Sequence, residues 1–238
     1  MATRVEVRRG SSGALHALEF PETATPHVWR MEPDGPALVM GSGQAPELFD
    51  RDRLAQLGVE LAPRRSGGGA VWIDPATTVW VDVLAPRGST LWSDDLTATF
   101  VLVGRVWQRA FAECGVYLDL ARFAPRDPRA RWVCWAGIGW GELFWPGHLP
   151  RAGAGAGPVG KVLGLSQRRT RWGARIQGLA VIGGSPDRAA DWFSGSDAPD
   201  AGDLRARVGR IPALGAAGLD RDRVSDAVAE RLAAALDR

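Results

Sequence analysis

Alternating strand-like and helix-like segments predict an α/β (α+β) domain, and three observations carry the prediction. Val79, Val81 and Val83 alternate with Trp80, Asp82 and Leu84, the period of a strand. Leu96, Phe100, Val103, Trp107, Ala110 and Cys114 recur at spacings of three and four, the apolar face of a helix. Short apolar runs elsewhere are bounded by glycine-rich turns.

Taken in order, Ala37 to Met40 is a short strand ending in the turn Gly41-Ser42-Gly43-Gln44, and Pro46 to Leu57 reads as a short helix. Val59 to Ala62 leads into Pro63-Arg64-Arg65-Ser66-Gly67-Gly68-Gly69-Ala70-Val71. Val79 to Leu84 follows as a half-buried strand. Ser93-Asp94-Asp95 supplies an N-cap and negative charge for the helix after it, and Gly115 closes that helix, leaving Cys114 on its core stripe. Strands are expected at Trp132 to Trp135, Glu142 to Phe144, Val162 to Ser166 and Ile176 to Ile182. Ala152 to Gly160 is rich in Gly, Ala and Pro, the composition of a flexible loop, and directly precedes Lys161. Pro186 to Phe193 starts a helix, Ala198 to Gly218 reads as irregular, and Val224, Val228, Leu232 and Leu236 form the face of a terminal helix. Residues 1–197 are thus expected to form the main domain, with 198–238 an irregular segment and a helix packing on it. No internal repeat is visible.

Composition narrows the function. A 238-residue chain that is 45% hydrophobic and 24% charged buries a core without disulfides or metals. A net charge of +2, scattered along the chain, suits an acidic protein partner and gives no footprint for nucleic acid. No apolar run reaches membrane-spanning length, and Met1 to Gly10 is too polar for a secretory signal. A reducing cytoplasm is the expectation for Cys114 and Cys134, which form no disulfide framework. His16, His27 and His148 have no partner at metal-ligand spacing, so no metal is assigned.

Of 29 Lys and Arg residues, one is lysine, Lys161. A GC-rich coding bias explains the excess of arginine. A site that needs a compact ammonium cannot take the planar fork instead, which makes the surviving lysine informative. At the head of a strand, Lys161 can stabilise charge developing on a carbonyl or phosphate oxygen, although most strand-end lysines are simply solvated. The three glycines beside Arg64 and Arg65 let backbone N–H groups approach an anion closely, although glycine triplets are more often plain turns. The loop lacks the Gly-Lys-Ser/Thr ending of a Walker A motif. Cys134 reads first as a buried thiol; it becomes a nucleophile if the fold brings a cation such as Lys161 beside it.

Arg64 to Val71, followed by Asp74, resembles the signature of the lipoate–protein ligase A family. Gly160-Lys161-Val162-Leu163-Gly164-Leu165-Ser166-Gln167-Arg168-Arg169 is similar to that family's second motif, Lys-x-x-Gly-x-x-Gln, and the turn Gly41 to Gln44 matches the glycine and glutamine after an early strand. The resemblance spans about Leu15 to Gly184. It implies the biotin- and lipoate-ligase fold, a mixed sheet flanked by helices, with Lys161 as the essential lysine. It also implies that Arg64, Arg65, Ser66, Gly67, Gly68, Gly69, Asp74, Gly164, Gln167 and Gln177 serve the acyl and nucleotide pocket.

The departures are specific. Ile73 stands where the ligase motif has a histidine before Asp74, and Gln177 replaces the histidine of a His-Gly pair. Nothing after Ala198 reads as the accessory domain that family ligases often carry. Val133-Cys134-Trp135, with Trp140 and Glu142-Leu143, resembles the cysteine segment of the octanoyltransferase branch. The resemblance therefore favours transfer of an octanoyl or lipoyl group through a Cys134 thioester onto a lysine of a lipoyl-type carrier domain, with acyl carrier protein as donor and no tightly bound cofactor. The alternatives are an ATP- and magnesium-dependent ligase working on free lipoate or octanoate, and a non-catalytic binder of a biotin-like or lipoyl-like group.

Overall fold

The computed structural model describes residues 3–20, 25–149, 157–209 and 219–238. The chain opens with Arg4–Gly10 (β1) and Ser12–Ala17 (α1), the helix capped by Ser11, whose side chain accepts from the Ala14 amide. His27–Pro33 (β2) and Ala37–Met40 (β3) follow, then a short 3₁₀ turn Pro46–Leu48 and Arg51–Gln56 (α2). Glu60–Pro63 (β4), Val71–Ile73 (β5), Thr78–Pro86 (β6) and Leu96–Glu113 (α3) make up the middle of the chain. Beyond them lie Asp119–Leu120 (β7), the 3₁₀ turns Pro128–Arg131 and Cys134–Ala136, Leu143–Phe144 (β8), Lys161–Arg169 (β9) and Gly173–Val181 (β10). A 3₁₀ segment Pro186–Trp192, then Ala201–Val208 (α4) and Arg221–Leu236 (α5), ends the chain.

Two sheets organise these elements. A seven-stranded mixed sheet runs β1-β2-β6-β10-β9-β8-β7, and a three-stranded one runs β4-β3-β5. In the large sheet β1 and β2 are parallel and the other neighbours antiparallel. Val79, Val81 and Val83 face the core beneath α3 and α5. Trp80 and Leu84 point the other way, into a second core shared with α1, β3 and β5. Every residue of β6 is consequently buried, more than the half-buried strand its alternation suggests. A central strand sandwiched between a helix layer and a second sheet needs no solvent face.

The helix predicted from spacing is α3. Asp95 caps it, its carboxylate accepting from the amides of Thr97 and Ala98 at 2.7 and 3.4 Å. Val103, Trp107 and Ala110 are buried, Leu96 at the first turn is exposed, and Cys114 packs partly buried against the core. Val224, Val228 and Leu232 bury the face of α5 as their spacing predicts.

Other expectations are corrected. Trp132 to Trp135 is no strand: Val133 makes one isolated bridge to Ala70, and Cys134 opens a 3₁₀ turn. Glycine at 137 and Pro128 before it favour turns over a continued ladder. Part of the stretch read as irregular, Ala201–Val208, is helical, capped by Asp200, whose carboxylate accepts from the Asp203 amide at 2.6 Å. Residues 210–218 of that stretch, and 152–156 of the predicted flexible loop, lie outside the described residues. The rest of that loop is anchored: the Val159 amide donates to the Arg207 carbonyl at 2.9 Å, and Arg207 Nη1 donates to the Gly157 carbonyl at 2.6 Å. β1 is not legible from the sequence, because it is an edge strand with mostly exposed side chains, three of them arginines.

Candidate active site

The site forms where the two sheets meet, and the glycine-rich loop between β4 and β5 builds its wall. Gly69 lies so close to the segment before Cys134 that a Cβ there would sit 2.5 Å from Trp132 C and Val133 N. Beside it, the Ala70 amide donates to the Trp132 carbonyl at 2.7 Å, and the Cys134 amide donates back to the Ala70 carbonyl at 3.0 Å. Gly68 adopts φ +95°, a left-handed conformation that favours glycine. Arg64 turns inward, and its Nη2 donates to the carbonyls of Gly67 and Gly69 at 3.0 and 2.8 Å. Gln44 completes the frame: its amide nitrogen donates to the carbonyls of Arg131 and Trp132, and its oxygen accepts from the Gly41 amide. The loop therefore positions Cys134, a role the anion-cradle reading did not contain.

Lys161 opens β9 and is 3% exposed. Its Nζ donates to both oxygens of Glu142 at 2.8 Å and to the carbonyls of Cys134 and Gly137 at 3.0 and 3.2 Å. Nζ also lies 3.9 Å from Cys134 Sγ and 5.6 Å from the centre of the Trp135 ring. Burial pushes the Lys161 ammonium down, but the negative charges of Cys134 and Glu142 outweigh burial and the opposing Arg64, and the net shift is upward. Lys161 is thus held as a cation, not as an amine nucleophile.

Cys134 lines a small cavity of about 40 Å³. Val39, Val71, Ile73 and Leu179 give it apolar walls, and Gly164 and Gln177 also line it. Ile73, in the place of the ligase motif's histidine, is one of those apolar walls. His16 lines it from α1, its ring 4.4 Å from that of Trp80. Gln177 Nε2 meets His16 Nδ1 at 3.2 Å and donates to Asp82 Oδ2 at 3.4 Å. Burial, then the charges of Arg64 and Arg175, pushes His16 down to about 3, so it is a neutral imidazole near pH 7. Asp82 is fully buried between Trp80 Nε1 and Arg175 Nε, both at 2.7 Å; burial raises it above the ordinary carboxylate range despite Arg175. An adjoining recess is lined by Arg65, Ser66, Arg168 and Arg175 together with His16 and Gln177. The Ser66 hydroxyl there, and the Arg64 Nε beside the Cys134 pocket, are buried without a hydrogen-bond partner among the described residues.

Gly67, Gly68, Gly69, Asp74 and Gln167 line neither of these two recesses. Asp74 closes the β5–β6 turn, accepting from the Ala76 amide at 3.0 Å. Gln167 reaches the start of α3, where its side-chain nitrogen donates to the Leu96 carbonyl at 3.0 Å. Gly67 is exposed on the loop. Conversely, sequence reasoning missed Glu142 and His16 as site residues. Neither carries a spacing signal, because the fold alone brings them to Lys161 and Gln177. Among the described residues, no cluster of three metal-ligating side chains exists, and no helix is long and apolar enough to cross a membrane.

The model of the lipoyl protein ligase A/B catalytic domain matches residues 15–233. The chain belongs to that family. Family membership makes this chain an enzyme of protein lipoylation chemistry, with the mixed α/β fold of the lipoate ligases. The fold is similar to that of a bipartite lipoate protein ligase from Thermoplasma acidophilum, studied with its E2 lipoyl domain (15% identity, 100% of this chain and 84% of that one, TM-score 0.70). It is also similar to a putative lipoate protein ligase from T. acidophilum with bound lipoic acid (14%, 100% and 86%, TM-score 0.70) and to a lipoate-protein ligase A bound with ATP (15%, 100% and 86%, TM-score 0.69). No match emerges among curated protein sequences.

Proposed function

We propose that this family member is a cysteine-relay acyltransferase, moving an octanoyl or lipoyl group from an acyl carrier protein thioester to a lysine of a lipoyl-type carrier domain. The observation that carries the reading is Cys134 Sγ 3.9 Å from a buried ammonium at the wall of an apolar pocket. In the first half, the Cys134 thiolate attacks the thioester carbonyl carbon; the C–S bond to the donor breaks, and the donor leaves as a thiolate that takes a proton from water. In the second, a neutral lysine amine of the carrier attacks acyl-Cys134; the C–S bond breaks as the amide forms, the amine's proton passes to water, and Cys134 leaves as thiolate. Lys161 stabilises the thiolate and the oxyanion of each tetrahedral intermediate without changing its own protonation. The apolar walls suit the alkyl part of an acyl group.

The Cys134 sulfur beside the Lys161 ammonium favours thioester chemistry over acyl-adenylate formation. One feature favours the second reading, an ATP-dependent lipoate ligase: the recess lined by Arg65, Arg168 and Arg175, with the buried Ser66 hydroxyl, suits an anion. A lipoate-protein ligase A of similar fold was solved bound with ATP.

Transfer from octanoyl-acyl carrier protein to a lipoyl domain, with and without ATP, separates the two. We expect ATP-independent transfer that Cys134→Ser abolishes and Cys114→Ser leaves within about twofold. Lys161→Ala and Lys161→Arg each lose on the order of a hundredfold or more, since a planar fork does not fit between Glu142 and the two carbonyls. A fully active Cys134→Ser enzyme that requires ATP makes the protein a ligase.

A further inference from the structure

We propose that Glu142 is a positioning residue that clamps the Lys161 ammonium against Cys134, so that Cys134, Lys161 and Glu142 act as one unit. The proposal rests on the relay reading and adds to it the group that keeps its cation charged and aimed.

Glu142 is 4% exposed, and its carboxylate is fully engaged. Beyond the two 2.8 Å contacts to Lys161, it accepts from the Gly139 amide at 2.6 Å and the Leu165 amide at 3.3 Å. An ammonium buried without a carboxylate tends to shed its proton, and a neutral amine cannot balance a thiolate. A buried Lys–Glu pair is also a poor way to gain stability, because desolvation offsets its attraction; apolar side chains of similar volume often do as well.

The backbone around Glu142 is fixed by close packing. Gly141 has φ +76°, and a Cβ there would lie 2.1 Å from the Phe100 carbonyl oxygen of α3. Gly104, one turn along α3, would bring a Cβ within 2.0 Å of the Gly141 oxygen. The Gly141 amide donates to the Ala121 carbonyl, and the Ala121 amide returns a bond to the Glu142 carbonyl, at 2.9 and 3.0 Å. Glycines on both sides of the contact let α3 seat Glu142 at one depth. The charged groups facing Lys161 are Glu142 before β8, Cys134 on its 3₁₀ turn and Arg64 of the glycine-rich loop. Of these, Glu142 meets the ammonium with both carboxylate oxygens, and that contact does not depend on whether the Cys134 sulfur is acylated.

The test is the pH dependence of ATP-independent octanoyl transfer to a lipoyl domain, for the wild type, Glu142→Gln, Glu142→Asp and Cys134→Ser. For Glu142→Gln we expect kcat to fall roughly tenfold to a hundredfold, as when a supporting hydrogen-bond partner of a reactive group is lost, with KM for the lipoyl domain little changed. The alkaline limb of the profile should move to lower pH, because the ammonium has lost its carboxylate. A purely structural role would lower the melting temperature and leave that limb in place. Should Glu142→Gln fail to fold, Glu142→Asp decides. Its shorter carboxylate cannot hold Lys161 with both oxygens, and an intermediate loss with a smaller shift of the limb is expected. A folded variant with wild-type kcat and profile overturns the proposal while Cys134→Ser remains inactive. An active Cys134→Ser enzyme removes the relay reading, and the proposal with it.

Discussion

Lys161 could be singled out because one lysine survives among arginines, and the structure gives that survival a physical setting. Two carbonyls and a carboxylate surround a point with room for three rotatable donors but not for a fork. His16 gave no such signal: it has no partner at metal-ligand spacing, and only the fold brings its ring to 4.4 Å from that of Trp80. A testable consequence follows from its low pKa of about 3. The unfolded chain takes up a proton at His16 near its ordinary value of 6.5, whereas the native chain does not until about 3. Stability from this residue is thus present at neutral pH and is lost as pH falls from 6.5 towards 3. In urea titrations, His16→Gln should flatten that acid slope, by on the order of 2 kcal/mol at mildly acidic pH. An unchanged slope would mean that His16 protonates in the native state.

Among elements, the glycine-rich loop was legible as a motif, but its work was not. Sequence reasoning gave it the role of an anion cradle. In the fold its carbonyls are tied to Arg64, and its last glycine touches the backbone that carries Cys134. Gly69→Val should therefore displace Cys134, lowering transfer at least tenfold and stability by about 1–3 kcal/mol, as overpacking does. Alkylation of Cys134 compared with Cys114 checks this, since displacement alters the first rate alone; unaltered alkylation and transfer would make the contact incidental. Long periodic elements such as α3 and α5 were readable because one buried stripe dictates them. The Cys134 segment was misread as a strand, since four apolar residues look alike in a strand and in a buried turn. Its conformation is set by Ala70 and Gln44, from distant parts of the chain.

At the scale of the molecule, mixed α/β architecture follows from the alternation of periods, whereas the meeting of the two sheets does not. That meeting creates the pocket, since β3 and β5 bring Val39, Val71 and Ile73 over the Trp80 and Leu179 face of the large sheet. The segment after β10 reinforces the site from outside it. Arg207 of α4 pairs with Asp127 at 2.8 Å and donates to the carbonyls of Ala136 and Gly157, tying together the stretches that carry Cys134 and Lys161. The proposed relay makes one central claim: the acyl group rests on Cys134 between donor and acceptor. Intact-mass analysis of the enzyme incubated with octanoyl-acyl carrier protein, without ATP, tests it most directly. The account predicts a single octanoyl adduct mapping to Cys134, discharged when a lipoyl domain is added. An unmodified enzyme that octanoylates the lipoyl domain only when ATP is supplied would contradict it.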